Sequence, residues 1–281
     1  MELFRALGLL AEPPSPEGET VARALGLEGW PPSPAEYTEL FQLNLYPYAS
    51  VYLGDEGMLG GEARDRVAGF WRALGLVPPA EPDHLAALLG LYATVAEGDA
   101  PGEVRRALLW EHLLSWLPAY LVKVRELAPG FYREWAELLG AAFVAEAERL
   151  PAEELVPLHL RSAAPLADPR EEGLDAFLTS LLAPVRSGLV LVRADLARAA
   201  CGLGLGLRLG ERRFALRSLL AQDAAGTLLR LGEEAEGWVD RHRRMPSALA
   251  PVTAFWTARA ERTAALLTQL ATTTETEVVG V

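Results

Sequence analysis

Helix-start signals recur along this chain, and they restrict its fold more than any other feature. The segment SPAE at 33–36 is a capping box with proline at the first helical position. The segment DPRE at 168–171 repeats this order of residue types. Because strand signals are nearly absent, the sequence predicts an all-α fold, a helical bundle.

Apolar residues recur at three- and four-residue spacing between Pro and Gly breaks. Helices are predicted at about 59–76, 82–97, 101–127 and 129–150, and again at about 170–184, 187–200, 211–231 and 246–272. The stretch 150–169 contains four prolines in 20 residues and has weak periodicity, which is typical of a connector. We therefore predict a helical domain at 1–150, a Pro-rich connector at 151–169 and an additional C-terminal helical region at 170–281.

Composition limits the kinds of partner and compartment. With 281 residues, of which 51% are hydrophobic, the chain can bury one large core or two modest ones. The formal net charge of -12 repels phosphate backbones and favours basic partners. A single cysteine, Cys201, excludes an intramolecular disulfide and a cysteine zinc site. No apolar stretch reaches about 18 residues and no cleavable signal is recognised, so we expect a cytoplasmic protein that does not enter the membrane.

The sequence contains no recognisable catalytic or metal-binding motif. Its histidines, which are His84, His112, His159 and His242, lie in different segments without a metal-ligand spacing. No G-x-S-x-G elbow or Walker loop is present, and the glycine run at 202–210 fails G-x-G-x-x-G, which predicts a loop between helices. An Asp83–His84 dyad is disfavoured because adjacent helix positions point about 100° apart. We therefore predict no catalytic residue, no metal and no cofactor, and expect a binding protein instead of an enzyme.

The segment EPDHLAALLGLY at 81–92 predicts a helix with two different faces. Pro82 suits the first helical position, and Asp83 would then lie in the first turn, where the helix dipole stabilises its charge. One face carries the leucines and Tyr92 of a core stripe. The opposite face has almost no bulk between Ala86 and Thr94, so another backbone could lie close to it.

Aromatic residues are concentrated in the segment 33–59. Tyr37, Leu40 and Phe41 share one face of the helix that starts at the capping box, and the loop beyond it presents aromatic residues between Tyr46 and Tyr52. Two interpretations remain open at this point. The aromatic side chains either plug the end of a helical bundle or line an apolar groove for a peptide.

Several motifs, in this order, resemble the TorD/DmsD/NarJ family of cytoplasmic maturation chaperones for molybdenum-containing reductases. They are Y-x-x-L-F at 37–41, S-V-Y-L at 50–53, E-P-D-H at 81–84, HLLSWLPAYLVKV at 112–124 and APGFYREWAELL at 128–139. The resemblance covers about residues 35–150. It implies an all-α chaperone without enzymatic activity, whose ligand is the twin-arginine signal peptide of a reductase subunit of the DMSO-reductase type.

The family's signal-binding surfaces are its Y-x-x-L-F and P-D-H regions. The resemblance therefore implies that the binding residues here are Tyr37, Leu40, Phe41, Tyr48, Ser50, Pro82, Asp83 and His84. The residue types agree with such a ligand, since a receptor for two guanidinium groups followed by an apolar stretch needs carboxylates beside an apolar groove. We predict that Asp83 meets a guanidinium and that the small-residue face admits the signal backbone. The protein would cover the signal until the molybdenum cofactor has been inserted into its client.

The second half departs from the family pattern, since family members usually end near the equivalent of residues 150 to 185. Between 186 and 217 there are seven arginines against Asp195 and Glu211, a local net charge of +5. Two helices joined by a glycine-rich turn also describe a helix-turn-helix, so a DNA-binding regulator with a helical sensor domain is the alternative. The overall negative charge disfavours it, and a helical hairpin that docks on protein is the other interpretation.

Overall fold

The structure, a computed structural model, describes residues 1–98, 100–128, 130–152 and 156–279, with side chains through residue 273. Within these ranges the regular structure is helical, and the pairing of extended backbone is limited to one isolated bridge. The prediction of an all-α fold is confirmed. No helix in the described part of the chain combines the length and the apolar character needed to cross a membrane.

The described chain forms two compact units. Unit 1 contains Met1–Gly54, Met58–Leu158 and Pro246–Pro251, and unit 2 contains Asp55–Gly57, His159–Met245 and Val252–Val281. The chain first passes from unit 1 to the main part of unit 2 after Leu158, inside the segment predicted as a connector. The assignment of separate roles to the regions 1–150 and 170–281 stays a prediction.

Unit 1 is built mainly from the first nine α-helices. These are α1 Glu2–Leu9, α2 Pro16–Ala24, α3 Pro34–Tyr37, α4 Ala49–Leu53, α5 Gly61–Ala73, α6 Leu85–Glu97, α7 Gly102–Ala107, α8 Leu117–Leu127 and α9 Phe131–Arg149. Helices α3 and α7 continue as π-helical turns at Thr38–Asn44 and Leu108–Leu113. The predicted capping box is present: the Ser33 hydroxyl accepts the Glu36 N–H, and the Glu36 carboxylate accepts the Ser33 N–H.

Unit 2 contains the later helices, of which the first and the last begin in unit 1. They are α10 Leu158–Ser162, α11 Pro169–Leu181, α12 Pro184–Ser187, α13 Arg193–Leu203, α14 Arg212–Gln222, α15 Ala224–Arg243 and α16 Ala250–Val279. A 3-10 turn at Ser247–Leu249, before α16, belongs to unit 1. Asp168 caps α11 as predicted, through the Arg170 N–H. Residues 204–210 of the glycine run lie between α13 and α14, as predicted, and its first two residues end α13.

Two predicted helices of unit 2 were wrong in detail. The helix at 187–200 starts only at Arg193, because Gly188 adopts a left-handed conformation that ends α12. Residues 189–192 are buried and lie outside any helix. The helix at 211–231 is two helices, because Asp223 leaves the helical conformation and its side chain caps α15 through the Gly226 N–H.

The N-terminal helix α1, which the sequence patterns did not reveal, packs along α6 in unit 1. A Cβ placed on Gly8 would lie 3.3 Å from the carbonyl oxygen of Ala86, so glycine permits this close approach. The Trp135 indole on α9 donates to the Leu7 carbonyl at 2.9 Å. Helix α1 is thereby held against both α6 and α9.

Candidate functional site

The start of α6 differs from the prediction. His84 is the N-cap and Leu85 the first helical residue, so Pro82 and Asp83 lie before the helix. The Asp83 carboxylate accepts the Ser50 N–H at 3.0 Å, and its carbonyl accepts the Ala49 N–H at 3.0 Å. With 1% of its surface exposed, Asp83 obtains its partners from the N-terminal end of α4 and not from the first turn of α6.

The two segments that carry the predicted site residues are joined by backbone pairing. Tyr48 and His84 form an antiparallel bridge, and the Leu85 N–H donates to the Pro47 carbonyl at 2.7 Å. These bonds extend the contact that Asp83 makes with α4. The structure therefore brings Tyr48, Ser50, Asp83 and His84 together, although more than 30 residues separate the two segments.

Tyr48 lies between the buried and the exposed parts of this region. Its ring packs edge-on against the His84 ring, with centroids 4.8 Å apart, and its hydroxyl donates to the exposed Glu81 carboxylate at 2.7 Å. Burial, followed by this hydrogen bond, raises the pKa of Tyr48 above its ordinary value. The hydroxyl is therefore neutral at physiological pH and acts as a hydrogen-bond donor.

His84 is almost fully buried and contacts two groups through the same ring nitrogen. Its Nδ1 lies 3.2 Å from the Ala86 N–H and 3.3 Å from a carboxylate oxygen of Glu12. Burial lowers the pKa of His84, while Glu12, Glu81 and Asp83 act in the opposite direction. The lowered pKa agrees with a neutral imidazole whose Nδ1 accepts the N–H at the start of α6.

Glu12 was not found by sequence reasoning. It follows α1 by three positions and reaches the site only because α1 packs on α6, which no local spacing reveals. Its side chain is 46% exposed. We call Glu12, Tyr48, Glu81 and His84 the carboxylate cluster. It presents the half-exposed carboxylate of Glu12 and the exposed carboxylate of Glu81 beside an aromatic ring and an imidazole.

The Y-x-x-L-F residues lie beneath this surface. Phe41 is 2% exposed and packs edge-on against Tyr132 and Trp135, with centroids 4.8 Å and 5.9 Å away, and Leu40 is also buried. Burial, then Glu12 and Glu81, raises the pKa of Tyr37 to about 12. Phe41 is therefore a core residue, in agreement with the first of the two interpretations. Tyr37 lies close enough to Glu12 and Glu81 for both carboxylates to raise its pKa.

The small-residue face of α6 is partly covered by the chain itself. Ala86 contacts Gly8 of α1, and Arg5 donates to the Thr94 hydroxyl at 3.3 Å. Space remains open beside Gly90, where an added Cβ would meet no atom within 4 Å. The backbone that lies close to Ala86 is therefore that of α1.

Most of the arginines that suggested a DNA-binding helix pair are bonded within unit 2. Arg193 donates to the Gly210 carbonyl, Arg212 to the Leu191 carbonyl, and both Arg213 and Arg217 to the Asp175 carboxylate. Arg198 pairs with Asp195. These interactions fix the chain between α12 and α14, and they give no support to the helix-turn-helix alternative.

Unit 2 also contains an open groove of about 860 Å³ between α15 and α16. Its walls include Glu236, Asp240 and Glu261, and the last of these pairs with Arg243 at 2.6 Å. None of the predicted site residues lines it.

Comparisons with known proteins agree with the resemblance read from the motifs. Residues 17–121 match the family model described as nitrate reductase delta subunit. A curated relative, the chaperone protein TorD of Shewanella amazonensis (strain ATCC BAA-1098 / SB2B), is 35% identical over 105 residues, which cover 29% of this chain and 44% of the relative. The match thus spans less than half of that relative's length. No solved structure matches the chain.

The region matched by the family model contains every predicted site residue, from Tyr37 to His84. Glu12 and the main part of unit 2 lie outside it.

Proposed function

The chain belongs to the TorD/NarJ family through its residues 17–121, and from that premise we propose that it is a maturation chaperone of a molybdenum-containing oxidoreductase. Members of this family are chaperones and not enzymes. The proposed ligand is the N-terminal twin-arginine signal peptide, or the apo form, of a DMSO-reductase-type catalytic subunit. Bound in the cytoplasm, the client would be kept from export until its cofactor has been inserted.

The observation that carries the proposal is the carboxylate cluster of unit 1. The half-exposed Glu12 carboxylate lies beside His84, and the exposed Glu81 carboxylate accepts a hydrogen bond from the Tyr48 hydroxyl. A guanidinium is a planar, permanently charged fork of donors, and it forms its strongest hydrogen bonds with carboxylates. We assign the guanidinium contacts to Glu12 and Glu81, and the packing against the peptide to Tyr48.

The other predicted residues support this surface in the proposal. Asp83 and Ser50 join the loop before α6 to α4, and Pro82 is buried beside them. Tyr37, Leu40 and Phe41 are buried in the core of unit 1, and Phe41 packs against Tyr37, Tyr132 and Trp135. Their substitution should act on the peptide through the position of the cluster, since their side chains are buried.

Calorimetric titration with a twin-arginine peptide tests the proposal, with a twin-lysine peptide as the ligand control. Glu81→Gln should weaken binding roughly tenfold or more, since one hydrogen bond between charged groups contributes about 1.5–3 kcal/mol. Glu103→Gln removes the same charge from an exposed position on α7 and should leave the affinity within a factor of about two. Equal losses in the two variants would show that only the overall charge of the protein matters, and would refute the assigned contacts.

A further inference from the structure

The Nδ1 atom of His84 has two neighbours that require opposite protonation states. The Ala86 N–H, 3.2 Å away, is a donor and needs a lone pair on Nδ1. The Glu12 carboxylate oxygen, 3.3 Å away, is an acceptor and needs a proton there. One nitrogen cannot serve both at once, so the contact that is made depends on whether Nδ1 carries a proton, and the Ala86 N–H contact corresponds to the neutral tautomer protonated on Nε2.

The surroundings of His84 favour a change between these two states. Glu12 approaches from the segment after α1, Glu81 and Asp83 from the preceding loop, Tyr48 from the segment before α4, and Tyr37 adds a neutral hydroxyl near the carboxylates. The carboxylates stabilise a protonated imidazole. Burial and the N-terminal end of α6 disfavour it, since the helix dipole is positive there.

We propose that His84 is a proton-controlled gate at the carboxylate cluster. When neutral, it caps α6 and leaves Glu12 to a cationic side chain of the ligand. When protonated, it pairs with Glu12 and competes with that side chain. This inference rests on the proposed function, because the cation that it excludes is an arginine of the bound peptide.

The proposed gate predicts that binding of the peptide is coupled to protonation of His84. Because a bound guanidinium and a protonated His84 compete for one carboxylate, binding the peptide releases a proton wherever His84 is charged in the free protein. The affinity should then fall with decreasing pH, with a limiting slope of tenfold per pH unit. At neutral pH the affinity should be independent of pH.

The first experiment follows the imidazole in the free full-length protein by nitrogen-15 NMR over pH 4–8. Nδ1 should carry no proton at neutral pH and gain one on acidification. Glu12→Gln should lower the pKa of His84 by about one unit, since it removes a nearby opposite charge. Glu103→Gln serves as the control and should not change it. An unaltered His84 titration in Glu12→Gln would overturn the gate.

The second experiment measures the affinity for a twin-arginine peptide between pH 4.0 and 7.5, which covers the titration followed by NMR. His84→Asn removes the titrating imidazole and keeps a side chain that can cap α6. The decrease in peptide affinity at acid pH that the parent protein shows should therefore be absent from this variant. Protonation of carboxylates affects both proteins and cancels in the comparison. Glu12→Gln, altered at a half-exposed position, is the second variant and should also lose the His84-dependent slope.

Binding with the same pH dependence in the parent and in both variants would refute the gate and leave the proposed function intact. Absence of binding at every pH would refute the proposed function and the gate with it.

Discussion

Replacement of Asp83 by Asn tests whether this carboxylate stabilises the fold. Asp83 and Ser50 are both buried, and the carboxylate accepts the Ser50 N–H at 3.0 Å. A hydrogen bond to a charged group contributes about 1.5–3 kcal/mol, and one between neutral groups about 0.5–1.5 kcal/mol. Because Asn keeps the size and one acceptor oxygen, Asp83→Asn should reduce the free energy of unfolding by about 1 kcal/mol. Asp83→Ala leaves the Ser50 N–H without its acceptor and should cost about 2–3 kcal/mol.

Urea unfolding followed by circular dichroism gives these free energies, with Glu81→Gln as the matched control. Glu81 precedes Asp83 by two positions and is exposed, so its substitution should change stability by less than about 0.5 kcal/mol. The same series measured against the twin-arginine peptide should give the reverse order, with Glu81→Gln weakening binding more than Asp83→Asn. Unchanged stability in Asp83→Ala would refute the stabilising role of this hydrogen bond, because a buried N–H without an acceptor lowers the free energy of unfolding.

Three further predictions concern the core, acid stability and the basic region. Phe41→Ala should lower the free energy of unfolding by about 3–5 kcal/mol, whereas Leu43→Ala, at a side chain that is 56% exposed, should change it by less than about 0.5 kcal/mol; urea midpoints distinguish them. Burial lowers the pKa of His112 and of His242 to about 4, so only the unfolded chain takes up these protons as pH falls from about 6.5 to 4. The unfolding free energy should therefore fall over that window, by up to about 3 kcal/mol per histidine. Stability that does not change with pH over this window would contradict the interpretation that both histidines are uncharged in the folded protein. Arg213→Ala should leave peptide affinity unchanged by calorimetry, because Arg213 bonds within unit 2 and has the same charge as the ligand.

Local helix signals made much of the fold predictable. Capping by Ser33 and Asp168 depends on residues within three positions, so sequence alone specifies it. The apolar stripe of α6 likewise predicted its buried face. The turn at 204–211 followed from its glycines, which interrupt the helical pattern.

The interactions that build the site were not predictable because they join distant segments. Asp83 has a sequence context typical of a first helical turn, and only the tertiary position of α4 offers it the Ser50 N–H. Glu12 enters the cluster through the packing of α1 on α6, which depends on the small size of Gly8. The non-helical segment 189–192 was predicted to be helical because periodicity does not distinguish a short apolar run in a helix from one outside it.

The central claim is that unit 1 binds the signal peptide at the carboxylate cluster, and hydrogen exchange measured by mass spectrometry tests it most directly. The full-length protein is compared with and without a saturating twin-arginine peptide. We predict slower exchange in the backbone around Tyr48 and His84, at 46–53 and 80–86, with no comparable change in α13 and α14. Protection confined to unit 2, with unchanged exchange at 46–53 and 80–86, would contradict the account.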